Sequence, residues 1–461
     1  MGLDRGLKAV SPQSALRASG RQDLTVEIRP FKAYRFAPDV VGNSGDCIAP
    51  PYDVISPELQ ETLYQRNEYN IVRVIKGKTQ ANDDDSNNQY TRAATALASW
   101  IESGALKQDQ EEAIYGYVQD FELAGTHSTR LSFIALSKIE AFGKTVRPHE
   151  EILKKPMQDR LSLKRATKGR FGLVYMLYRD EQGIAEKTIE KAMATDPLVD
   201  FTDLQDVRHR LYAIASQTDQ AAIVSMMADK SCIIADGHHR YTTGIQFAKE
   251  LNTPAAQYQM AAFANTCQEG LVILATHRLV DNVEAFDTGS LLASLATDFS
   301  LTDWTFQDPD GKQKALQAML AEMKSRFDQG QSTFGIYTGK GSFYAATLTD
   351  RRSMKAVAAK QSDAWCQLDV SILHKLILER SLGIDGEKLA QGRYVTYVKD
   401  TPSAIDESID RVDQGQQQAA FFTNPVRMEQ LIAVTDAGER MPQKSTYFYP
   451  KMFTGLTIQK L

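Results

Sequence analysis

Apolar residues recur along this chain with two periods, and the alternation between them predicts a mixed α/β protein. Ala93, Leu97, Trp100 and Ile101 fall on one helical face, with Gly104 as the stop. Ser56-Pro57 reads as the N-cap and first-turn proline of a short helix carrying Leu59 and Leu63. Residues 70–75, 113–121, 129–139, 171–178, 209–215 and 232–235 have the length and composition of strands, the second and third joined by a turn at Ala124-Gly125. Helices are expected near 186–195 and 219–228. A further apolar run from Gly270 to Ala275 reads as a strand, and beyond Val280 helices and strands alternate with fewer chemically active residues.

A chain of 461 residues exceeds one ordinary core. The pattern divides it into a disordered tail over 1–24, an α/β region over 25–140, a core over 141–280 and a C-terminal α/β domain over 281–461. With 43% hydrophobic and 24% charged residues, no apolar run near spanning length and a net charge of −5, the sequence excludes a membrane protein and gives no reason to expect nucleic acid as a partner. Cys47, Cys232, Cys267 and Cys366 form no CxxC pair, which suits the reducing cytoplasm and argues against a disulfide framework or zinc ribbon. Asp83-Asp84-Asp85 lacks the ligand spacing and glycine of a calcium loop. Thr338-Gly339-Lys340-Gly341-Ser342 lacks full phosphate-loop spacing and reads as a hairpin turn. His374, among Leu373, Leu376 and Ile377, reads as a core residue.

The densest chemistry is Asp236-Gly237-His238-His239-Arg240, which follows the apolar run 231–235 and precedes Tyr241, Ile245, Ala248 and Leu251 at helical spacing. A strand-to-helix turn of this kind suits phosphate: glycine allows close approach, and the first helical N–H groups and the dipole favour an anion. His238, His239 and Arg240 add donors or positive charge, and Asp236 could hold Mg²⁺. The alternative is a solvated turn in which Asp236 caps the helix. Thr276-His277-Arg278 ends the apolar run 270–275, and in α/β sheets ligands collect at such strand ends. His277 and Arg278 therefore either face the same pocket or make surface ion pairs. Lys154, Lys155, Arg160, Lys164, Arg165 and Lys168 form a basic helix of mixed polarity, expected to be a solvated face. The polar and aromatic stretch 441–451 is expected to pack as an ordered loop over a pocket.

Ala49-Pro50-Pro51-Tyr52-Asp53-Val54-Ile55-Ser56, Arg147-Pro148-His149-Glu150, Asp159-Arg160, His209-Arg210-Leu211, Asp236 to Tyr241, Thr276 to Leu279 and Met441-Pro442-Gln443-Lys444-Ser445-Thr446 together resemble the family called domain of unknown function one thousand and fifteen. Its Asp-Gly-His-His-Arg segment is similar to that of the free serine kinases of the ParB/sulfiredoxin superfamily, which move a phosphoryl group from ATP or ADP to free serine with Mg²⁺. The resemblance implies a ParB/sulfiredoxin-like nucleotide-binding core over 141–280, elaborated by further α/β domains. It implies Glu150, Asp236 and His239 as catalytic residues, Glu150 as the base for the acceptor hydroxyl and Asp236 as the metal ligand. Gly237, His238, Arg240, Arg160, His277 and Arg278 are then expected at the nucleotide phosphates, and Arg147 and His149 at the substrate. From the residues alone, a first-turn helix carboxylate is the favoured reading of Glu150, and only the resemblance shifts the balance. Sulfiredoxin-like thiol chemistry is excluded, because His238 stands where that nucleophilic cysteine is needed. A nucleotide-binding switch and a ligand sensor without turnover are the competing readings.

Overall fold

The structure, a computed structural model, describes residues 25–123, 125–143, 145–150 and 155–461. The expected tail over 1–24, Ala124 of the predicted turn and Lys154 of the basic helix lie outside the described residues. Among the described residues one mixed sheet contains nine strands: β1 (Ile28–Arg29), β2 (Ile114–Leu123), β3 (Thr126–Lys138), β4 (Val146–Pro148), β5 (Val174–Tyr178), β6 (Val199–Thr202), β7 (Arg208–Ile214), β8 (Cys232–Asp236) and β9 (Tyr258–Asn265). Their order is β4-β8-β5-β9-β3-β2-β7-β6, with β1 added on β3. The β4/β8 and β5/β9 pairs are parallel and the others antiparallel. Strands from 25–140 and from 141–280 share this layer, β9 pairing with both β5 and β3.

Both faces of the sheet are covered, so its strands read as unbroken apolar runs. Ile114, Phe133, Val174, Met176 and Ile234 pack with Ile189, Ile223 and Met227 of the helices Ile184–Ala192 and Gln217–Met227. Their neighbours Tyr115, Ile134, Tyr175, Leu177 and Ile233 face the other way, into a core that includes Phe448, Met452, Phe453 and Leu456. This is the two-residue period of a pleated strand expressed as two separate cores.

A second sheet is wholly antiparallel. Its strands are β10 (Thr276–Val280), β11 (Phe299–Thr305), β12 (Thr333–Tyr337), β13 (Ser342–Leu348), β14 (Val395–Lys399) and β15 (Ala419–Phe422), in the order β11-β13-β12-β15-β10-β14. The turn between β12 and β13 uses Gly339 and Gly341 at φ of 73° and 71°, which makes the expected hairpin.

Two expectations fail. Residues 70–75 do not form a strand: Val72–Ile75 is one helical turn, started by the Asn70 side chain accepting the Val72 N–H at 2.9 Å. Ile71, Val72, Val74 and Ile75 are all buried, and a short run buried all round has no period to distinguish helix from strand. The run 270–275 is also divided, because Val272–Leu274 pairs with Tyr447–Tyr449 before β10 begins in the other sheet. His277 and Arg278 therefore lie inside a strand instead of past its end.

The C-terminal segment ties these parts together. Met441 bridges to Glu150, Thr454 to Ala49 and Ile458 to Tyr34, and Gln459–Lys460 pairs with Gly169–Arg170. Arg130 on β3, fully buried, donates to the carbonyls of Tyr449 (3.1 Å) and Pro450 and to the Gln119 amide oxygen. Gln119 in turn donates to the Lys451 carbonyl at 3.0 Å. Replacement of Arg130 by Met is expected to leave those buried acceptors unpaired and to lower the unfolding free energy by about 3 kcal/mol, read from urea denaturation. An unchanged midpoint would refute this role.

Candidate active site

β8 ends at Asp236, Gly237 turns the chain at φ 90°, and the helix His238–Leu251 begins. Glycine is required twice here. The left-handed backbone favours it, and a Cβ would lie 3.0 Å from Arg240 Nε. No side chain caps this helix, so the capping alternative for Asp236 does not hold. Asp236 instead receives Arg240 Nη2 at 2.7 Å, one helical turn on, and Lys451 Nζ at 3.4 Å. Burial pushes the Asp236 carboxyl upward, but Lys451, Arg240 and His238 outweigh it and hold the group well below the usual carboxylate range. It is an anion throughout the physiological range.

Asp236 lines a cavity of about 180 Å³ together with Asp53, Glu150, Lys399, Lys444 and Lys451. Three carboxylates thus meet three ammonium groups, with Thr276, Tyr397 and Tyr447 between them. The Lys444 backbone N–H donates to Glu150 Oε1 at 2.8 Å and fixes that carboxylate toward the C-terminal segment. Burial, then Lys451, lowers the Lys399 ammonium, while Asp53 and Asp236 oppose the shift. His239 is half-buried beside this group. Burial lowers its imidazole, Glu150 and Asp53 raise it, and Lys444 and Arg240 lower it further. The net shift is downward, so the ring is neutral at pH 7, and its buried Nδ1 has no hydrogen-bond partner among the described residues.

The remaining predicted residues are not brought into this cavity. His149, fully buried, pairs through Nδ1 with the Ile234 carbonyl and through Nε2 with Thr446 Oγ1 at 2.8 Å. Its backbone N–H donates to His238 Nε2 at 3.3 Å, so that nitrogen of His238 is an acceptor, unsuited to donating to phosphate. Burial holds both rings below the usual histidine range. The pair forms the wall between β8 and the C-terminal segment. Arg147 turns to Asp436 and Ser231. His277 accepts the Thr423 N–H at 3.3 Å and stands 3.3 Å from Asp400. Arg278 donates to the Lys444 carbonyl at 3.1 Å and lies over the Tyr397 ring. Both are 2% exposed: His277 meets the partly exposed Asp400 from the buried side, and Arg278 braces the segment that carries Lys444. Arg160 lies in a separate cavity.

Asp53, Lys399, Lys444 and Lys451 are cavity residues that pattern reasoning did not single out. Asp53 and Lys444 stand inside stretches noticed as motifs and Lys451 ends the stretch 441–451 expected over a pocket, whereas nothing local marks Lys399. Among the described residues no group of three or more His, Cys, Asp or Glu side chains converges as a metal cage. Mg²⁺ commonly takes only one or two carboxylates and completes its shell with water and phosphate. Asp236 and Asp53, in one cavity, fit that donor set.

The buried imidazoles set a pH dependence. His149, His209, His238 and His239 all have lowered values when folded, and His374 is pushed down by burial to about 3. A base whose folded value is lowered contributes its stability above the unfolded value, about 6.5, and loses it as pH falls below that point. Stability is therefore expected to drop between pH 7 and pH 5, each such histidine adding a slope of up to about 1.4 kcal/mol per pH unit. Chemical denaturation across this range checks it, and a flat profile would contradict the burial of these rings.

Comparison with solved structures finds distant likenesses. A free serine kinase in complex with AMP is 11% identical with a TM-score of 0.33, over 66% of this chain and 83% of that one. A conserved hypothetical protein from Pyrococcus furiosus is 12% identical with a TM-score of 0.31, over 69% and 91%. SbnI with a C-terminal truncation from Staphylococcus aureus is 11% identical with a TM-score of 0.31, over 69% and 84%. No curated protein matches the chain. The family model described as protein of unknown function, DUF1015, matches residues 28–371, well over half of the sequence, and the chain belongs to that family.

Proposed function

We propose that this chain is a phosphotransferase that moves a phosphoryl group from ATP or ADP to the hydroxyl of a small metabolite in the cytoplasm, with free L-serine as the first acceptor to test. The observation that carries this reading is the gathering of Glu150, Asp236 and three lysines in one cavity beside the neutral His239. Serine is put first because of the resemblance of the Asp-Gly-His-His-Arg segment to that of free serine kinases. A ParB/sulfiredoxin-like core over 141–280, with the C-terminal domain supplying the opposite wall, is part of the same proposal.

Phosphoryl transfer calls for positioning, charge neutralisation and a group that takes the acceptor proton. In this reading the acceptor oxygen attacks phosphorus, its proton passes to Glu150, and the bond to the nucleotide breaks with its electron pair leaving on the nucleotide. Glu150 is oriented for that task by the Lys444 N–H. His239 offers Nδ1 to the transferring group, and Lys399, Lys444 and Lys451 offset the charge of its oxygens. Arg240, aligned by Asp236, contributes a phosphate contact. Asp236 and Asp53 would hold Mg²⁺, which when bound would supply charge neutralisation at the phosphates.

Incubation of the purified protein with Mg²⁺, a nucleotide panel and pooled amino acids and other metabolites is expected to give a product heavier by one phosphate in mass spectrometry. Nucleotide hydrolysis without any acceptor would replace this reading with a regulatory switch, and binding without turnover would replace it with a sensor. Glu150→Gln is expected to reduce transfer by at least about a hundredfold, the usual scale for a lost general base. His239→Ala and Arg240→Ala should each reduce it at least about tenfold, roughly 1.4 kcal/mol of barrier. Full activity in both would discard the site.

A further inference from the structure

The helix Lys155–Thr167 is the expected solvated basic face only in part: Arg165 and, just past its end, Lys168 are exposed, but Arg160 and Lys164 are not. Arg160 and Lys164, one turn apart, are 9% and 8% exposed, and they line a second cavity with Arg170 (1%) and Arg240 (8%). The cavity measures about 40 Å³, room for about three waters. That volume suits one small tetrahedral oxyanion.

Its charges do not balance. Arg160 pairs with Asp159 at 2.8 Å, and Arg240 with Asp236 at 2.7 Å. Arg170 has neutral partners among the described residues, Gln459 Oε1 at 3.0 Å and the carbonyls of Ala256 at 2.8 Å and Ala255 at 3.4 Å. Lys164 has no side-chain hydrogen bond or ion pair with any described residue. Two of the four basic side chains, Lys164 and Arg170, therefore have no carboxylate partner among the described residues, in a place where an unpaired charge is strongly unfavourable. Donors are also left over: Arg240 Nη1 and Arg170 Nε are buried without partners among the described residues. Gly172 keeps the space open, since a Cβ there would fall 3.1 Å from Arg240 Nη1. Burial, followed by the charges of Arg170, Arg160 and Arg240, drives the Lys164 ammonium well below its usual range in the absence of a counter-ion.

We propose that this cavity is an oxyanion site that takes one doubly charged phosphate group, bound by Lys164, Arg240 and Arg170. The dianion supplies the two missing negative charges and accepts the unused donors. Two sources share this chemistry. Free orthophosphate fits the cavity alone. The terminal phosphate of a nucleotide also fits, because Tyr52 and Arg160 line both this cavity and a larger cleft of about 490 Å³ that holds Lys76, Lys78 and Thr79. The site shares Arg240 with the proposed transfer site, but it rests on charge balance and not on turnover.

Isothermal titration of the full chain with sodium orthophosphate in chloride buffer tests this. The wild type is expected to bind, and Lys164→Met, which keeps the stem and removes the charge, to bind at least about tenfold more weakly, or 1.4 kcal/mol. In phosphate-free buffer Lys164→Met should melt no lower than wild type, because the unpaired ammonium it removes is unfavourable there. ADP that competes with orthophosphate would identify the nucleotide as the source, and ADP that does not would identify free phosphate; both support the site. Absence of orthophosphate binding, or binding undiminished in Lys164→Met, overturns it. Hydrogen exchange on the wild type gives a readout that needs no variant: phosphate should slow amides over 163–172, and slowing confined elsewhere overturns the site. Lost phosphoryl transfer with intact phosphate binding would discard only the kinase reading, and the reverse would discard only this one.

Discussion

The arrangement depends on one buried guanidinium. Arg130 sits in the middle of the large sheet without an ion pair to any described carboxylate, and its charge is met by the carbonyls of Tyr449 and Pro450 and by Gln119. A cation so placed must be surrounded by acceptors, so the C-terminal segment has little choice of path. That path puts Lys451 near Asp236 and brings Lys444 to Glu150. Remove the segment, and the strand-to-helix turn keeps its own Arg240 but loses an entire wall.

Around that wall the electrostatics are divided. The Asp236 carboxylate is held charged by neighbouring cations. Imidazoles are held neutral by burial, so that His149 and His238 serve as hydrogen-bonding pillars and His239 keeps an uncommitted nitrogen. Arg240 stands at the junction: it is paired with Asp236, which lines one cavity, while lining the other itself. The same residue therefore links a cavity of mixed charge to a purely cationic one.

Much of this was legible from residue order. Strands covered on both faces gave strong apolar runs, and Gly237 between a strand and a helical period marked the turn at its true place. The alternating sheet order was not legible, because which strands pair across long separations leaves no local trace. The basic helix misled for a physical reason: Arg160 and Lys164 show the same polarity whether they face water or a buried cavity. His277 and Arg278 were misplaced because a run that seemed one strand feeds two sheets. Lys399 enters the cavity only through tertiary pairing.

The bridges Glu150–Met441, Ala49–Thr454 and Tyr34–Ile458 close loops that span most of the molecule. Contacts so far apart in the chain carry a large closure entropy and form slowly. A partly folded molecule can hold the whole Asp-Gly-His-His-Arg turn in native form and still have no enclosed chamber. The chamber in such a design is a property of completed topology, absent until the last ribbon of chain has been wound into place.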